Sequence, residues 1–83
     1  MTQSEINKRV KIRALLRDIR HKILEEGTSK ADILVERVCK LLDNVDGYAL
    51  RLYYNNFRLN LISSDAMREY LTALIYLQKQ EDK

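Results

Sequence analysis

No proline interrupts this chain, and its only two glycines, Gly27 and Gly47, fall where hydrophobic periodicity breaks. Without proline, every residue keeps a backbone N–H that a helix can use, and no kink is imposed. Apolar residues recur at three- and four-residue steps throughout, and the strict alternation of a strand is absent. The sequence therefore predicts an all-α fold. Glycine just past a helix end relieves the left-handed strain of a C-cap, so Gly27 and Gly47 are expected to mark helix ends. Four helices are predicted, at about 4–26, 29–44, 48–61 and 65–80.

Start signals support these boundaries. Thr2 and Glu5 form a T-x-x-E capping box, in which hydroxyl and carboxylate each satisfy a free backbone donor. Ser29 with Asp32 is a weaker version. Ser63, Ser64 and Asp65 are all good N-caps for the last helix. The connections are short, so consecutive helices should run antiparallel, and an up-down four-helix bundle is the economical arrangement for one domain covering 1–83.

Faces follow from placing residues at about 100° per position. Ile12, Leu15, Leu16, Ile19 and Ile23 form one apolar stripe in the first helix. Leu34, Val35, Val38, Leu41, Leu42 and Val45 do so in the second, with Asp32, Glu36, Lys40 and Asp43 opposite. The last helix gathers Met67, Tyr70, Leu71, Leu74 and Leu77. These are predicted core faces. The third helix differs, because it is apolar on two sides. Leu50, Tyr53, Tyr54, Phe57 and Leu61 make its main face, while Leu52 and Leu59 lie almost opposite beside Tyr48, with Arg51, Asn55 and Arg58 near them. Such a helix either packs centrally or offers its second stripe to a partner or another copy through Leu52 and Leu59.

Composition narrows the function classes. Of 83 residues, 46% are hydrophobic and 33% charged, the balance of a globular chain. No apolar run approaches the roughly 20 residues that span a bilayer, and the N-terminus lacks the apolar core of a signal peptide, so a cytoplasmic location is expected. One cysteine, Cys39, and one histidine, His21, leave no disulfide and no Cys/His metal site, and no cofactor is expected. Cys39 reads as an inert, semi-buried thiol and His21 as a surface residue. The pair Glu25 and Glu26 shows no catalytic spacing. The predicted inner faces are almost wholly aliphatic and aromatic, which argues against an enzyme, including a helical mutase of the chorismate mutase type.

The net charge is +3. Arg9, Arg13, Arg17 and Arg20 follow at four- and three-residue steps and form a ridge along the first helix. It reads either as a solvated face whose stems cover the core edge, or as a contact for anionic lipid, nucleic acid or an acidic partner. Tyr76 falls on the polar side of the last helix, and the tail from Gln78 to Lys83 is polar.

The stretch RLYYNNFRLNLISSDAMREYLTALIYL resembles the C-terminal half of the small immunity proteins for pediocin-like bacteriocins, the enterocin A immunity family. Leu50, Arg51 and Leu52 resemble the opening of that family's third helix, Tyr53 to Phe57 its aromatic and Asn-bearing middle, and Ser63 to Asp65 its turn. The segment EEGTSKADILVERV is similar to a helix junction of the family. The resemblance implies an antiparallel four-helix bundle in the cytoplasm, at or near the inner membrane face. Its implied partner is the mannose phosphotransferase permease with bound bacteriocin, engaged without catalysis. Specificity in the family is attributed to the C-terminal half, which implies Tyr54, Asn55, Arg58, Leu59, Tyr76 and Lys79 as partner-binding residues beside Leu52. It also makes the arginine ridge a candidate membrane-facing surface. The first helix is richer in arginine than the resemblance requires. That keeps open a small basic regulatory or nucleic-acid-binding protein, although no helix-turn-helix turn is recognisable.

Overall fold

The computed structural model describes residues 2–24 and 29–80. Among these, four helices form an all-α bundle: α1 (Gln3–Leu24), α2 (Ser29–Cys39), α3 (Asn44–Arg58) and α4 (Ser64–Gln80). α1 packs against α2 and α4, and α3 closes the ring between them with a thinner seam to α4. Cross-helix contacts run in opposite senses. Arg13 reaches Gln78 while Arg20 reaches Thr72, and Glu36 meets Arg51 while Asp32 meets Tyr54. Neighbours joined by these contacts are therefore antiparallel.

The core follows the helical stripes. Ile12, Leu16, Ile19 and Ile23 of α1 meet Ala31, Leu34, Val35 and Val38 of α2, with Leu42 just beyond. Leu50 and Tyr54 of α3, and Met67, Leu71, Leu74 and Ile75 of α4, complete it. Leu16, Leu50 and Leu71 are wholly buried. Each such side chain contributes about 1.5–3 kcal/mol by leaving water, a large share of what an 83-residue domain can have.

Caps explain most boundaries. The Glu5 amide donates to Thr2 Oγ1 at 3.2 Å, and the Ala66 amide donates to Ser63 Oγ at 3.1 Å, so the predicted starts of α1 and α4 hold. The second boundary differs from expectation. α2 stops at Cys39 and α3 begins at Asn44, because Asp43 caps it by accepting from the Asp46 amide at 2.8 Å. Gly47 therefore sits inside the first turns of α3 and is not a C-cap. Val45 passes from the predicted core of the second helix to the exposed side of α3.

α3 also ends earlier than predicted. Asn60 takes φ 61°, the Asn60 amide donates to Phe57 O at 3.0 Å, and the Leu61 amide donates to Asn56 O at 2.8 Å. This is a Schellman ending with asparagine in the place glycine usually takes. It turns Leu61 out of the core into solvent. Leu77 and Tyr53 are likewise more exposed than their assigned faces imply, while Gln78, read as part of a polar tail, is buried. Gly27, the pair Glu25 and Glu26, the side chain of Ser29 and the final residues 81–83 lie outside the described residues.

Two opposite faces of α3 give a direct check. Leu50→Ala should cost about 2–5 kcal/mol in urea unfolding, whereas Leu52→Ala, half in solvent, should cost less than about 0.5 kcal/mol. Gly47 offers the opposite sign. A Cβ added there would meet Cys39 O at 3.5 Å, an ordinary contact, within a helix that glycine weakens. Gly47→Ala should therefore raise stability by roughly 0.5–1 kcal/mol, measured as a higher midpoint with unchanged slope.

Candidate functional site

α3 presents two chemically different surfaces because its rotation is fixed from the α2 side. The Tyr54 hydroxyl donates to Asp32 Oδ1 at 2.6 Å. Arg58 lies 3.8 Å from the same carboxylate oxygen, and Arg51 pairs with Glu36. These groups line an open cleft of about 230 Å³ with Val35 and Asn55. Its acids and bases neutralise one another.

Tyr54 is 4% exposed, so it is withdrawn from the predicted partner-binding set. Its ring packs in the core, with Phe57 tilted against it at 6.3 Å between centroids. The family resemblance implied a contact role for it, but its ring and its hydroxyl serve the α2–α3 seam instead. Arg58 is half exposed but leans to the same seam. Leu52, Asn55 and Leu59 are exposed and share the outer face of α3. Tyr76 and Lys79 are exposed on α4, at positions about 100–180° from the centre of its buried stripe. The predicted set thus divides into an α3 group and a separate α4 pair.

The arginine ridge is partly spent inside the bundle. Arg20 Nη1 donates to Thr72 Oγ1 at 3.0 Å, and Arg13 Nη1 donates to the Gln78 carbonyl at 3.5 Å. Arg9 lines an open pocket of about 320 Å³ at the bundle end, among Glu5, Lys8, Asp43, Asp46 and Gln78, and it too has an interaction partner. Arg17 is exposed. The ridge is therefore largely the α1–α4 seam rather than an open cationic surface. Sequence spacing found its line but could not reveal which neighbour would lie along it.

Two residues gained an environment that the sequence reading did not assign. Tyr70 of α4 stacks on Tyr53 of α3, with centroids 4.0 Å apart and planes 7° from parallel. Burial, reinforced by the charges of Asp46 and the neighbouring Tyr53 and Cys39, pushes the Tyr70 hydroxyl up to about 12. The Cys39 thiol, half-buried with Sγ 3.6 Å from the Gly47 carbonyl, is also pushed up by burial; Arg51 opposes the shift and Glu36 adds to it. A raised thiol pKa disfavours the nucleophilic thiolate, in keeping with an inert cysteine. Among the described residues no group of three or more His, Cys, Asp or Glu side chains could hold a metal ion. Nor is any described helix long and apolar enough to cross a membrane.

Tyr70 can be followed directly. Its pKa is raised on folding, so its contribution to stability is full below about pH 10 and is lost as pH rises through about 12. Comparing absorbance titrations of the wild-type chain and Tyr70→Phe should assign to Tyr70 an ionisation delayed to about pH 12, and the substitution should remove its share of the alkaline loss of stability.

Compared with known proteins, the chain matches no family model, no curated protein and no solved structure.

Proposed function

We propose that this chain is a non-catalytic binding protein of the bacteriocin immunity kind, acting from the cytoplasmic side on the mannose phosphotransferase permease once a pediocin-like bacteriocin has bound it. The observation that carries this reading is the outer face of α3. Leu52, Asn55 and Leu59 stand together in solvent, inside the segment that resembles the specificity-bearing half of that family. An exposed apolar face of this kind suits docking to a protein surface.

Arg58 borders the face and supplies a charged rim, while Tyr76 and Lys79 on α4 provide a second, smaller contact. Arg17 remains for electrostatic approach to an anionic membrane surface, so the protein acts peripherally at the inner face. The nucleic-acid alternative draws less support, since it needs an open basic ridge and Arg13 and Arg20 are engaged with α4.

The test is expression in a bacteriocin-sensitive strain. The chain should confer resistance to one or a few pediocin-like bacteriocins, and Leu59→Asp should lower the protective dose range by about tenfold or more while the protein stays folded. Unchanged killing across a representative panel of such bacteriocins overturns the proposal.

A further inference from the structure

We infer that the outer face of α3 seats a second copy of this chain, with the two α3 helices antiparallel about a two-fold axis at Leu52. This inference is independent of the immunity reading. It begins from spacing. Val45, Leu52 and Leu59 recur every seven residues, and Tyr48 and Asn56 fall four residues before and after Leu52, so the five share one helical face that is symmetric about Leu52. The pattern lies opposite the face that α3 buries through Gly47, Leu50 and Tyr54. Val45 is 77% exposed, Tyr48 71%, Leu52 49% and Leu59 67%. An apolar stripe of this length left in solvent, on the helix face opposite the core, is an unusual thing for a small domain to carry.

The seam is self-complementary. Val45 and Leu59 each stand seven residues from Leu52, and Tyr48 and Asn56 each stand four away. An antiparallel pair therefore sets Val45 against Leu59 of the second copy, Leu52 against Leu52, and Tyr48 against Asn56. The largest side chain of the stripe meets a small amide able to hydrogen-bond its hydroxyl. A parallel pair would instead oppose two tyrosines and align the two helix dipoles unfavourably.

Charge favours the same occupant. No residue of the stripe is ionisable near neutral pH, and the arginines flanking it, Arg51 and Arg58, already have Glu36 and Asp32 as partners. Two copies can approach without opposing unpaired cations. The stripe is about 21 Å long at the helical rise. It would bury on the order of 1,000 Å² in total, the lower bound for a specific interface, so the dimer is weak and concentration-dependent.

Sedimentation equilibrium on the whole chain tests this. The mass should pass from 9.8 kDa toward twice that value, with a dissociation constant between about 10 µM and 1 mM. Leu52→Asp places two carboxylates on the axis and should weaken association at least about tenfold, with helix content and Tm little changed. Leu59→Asp should act in the same direction, and Tyr76→Asp on α4 should leave the dimer intact.

Geometry is read in a Cys39→Ser background with a short thiol cross-linker. Leu52→Cys should link to itself, and Val45→Cys should link to Leu59→Cys but not to itself. A monomer at about 1 mM, a dimer indifferent to both aspartates, or self-linking of Val45→Cys would each overturn the inference.

Discussion

The hydrogen bond from the Tyr54 hydroxyl to Asp32 governs what this bundle shows to the outside. α3 has apolar side chains on both sides, so the hydrophobic effect alone distinguishes its two rotations poorly. Turned by half a revolution, Val45, Tyr48, Leu52 and Leu59 would fill the core and Leu50, Tyr54 and Phe57 would face water. Only the observed rotation gives Asp32 both a tyrosine hydroxyl and Arg58, and Glu36 an arginine partner. A hydrogen bond to a charged acceptor is worth about 1.5–3 kcal/mol, whereas the solvent-screened ion pairs add much less. The polar contacts are weak beside the total burial. They add a specific preference to burial that α3 could make on either side.

What could be read from the sequence follows the same division. The α1 stripe, Leu34 to Val38, and Met67, Leu71 and Leu74 were legible because each helix had one apolar side and a clean period. The α2–α3 junction was misread because Gly47 looked like a helix end. The Asp43 cap, three residues before Asp46, was the stronger signal and moved the start of α3 forward by four residues. Asn60 was missed as the stop for a related reason: a left-handed residue is expected to be glycine, and asparagine does the same work with less obvious lettering. Spacing placed Tyr54 on the inner face of α3, where it lies; its partner Asp32, 22 residues away, was not legible from the period.

The arginines of α1 show how tertiary packing redirects an electrostatic argument. Their line along the helix is real, but α4 lies beside it and takes Arg13 and Arg20 into its own hydrogen bonding. Their stems bridge a seam, which long guanidinium side chains do well because the apolar stem packs while the head finds acceptors. With much of the basic line absorbed and the cleft beside α3 internally neutral, the chemically distinctive exposed surface is apolar. Recognition by shape and burial then weighs more than recognition by charge, and a mild +3 net charge serves mainly solubility and approach.

An exposed apolar stripe carries a cost for a small protein, because it promotes indiscriminate association. Here the stripe is bounded. Arg51 and Arg58 fence it on one side, Asn55 and Asn56 break its apolar continuity, and the Schellman turn ends it at Leu59. The asparagines matter most. A polar residue within a seam weakens the pairing but penalises registers that leave its amide unmatched. On the self-pairing inferred above, a register that leaves those amides unmatched would be penalised. A weak self-pairing through the docking face would keep it covered when the protein is concentrated and release it to a tighter partner by mass action.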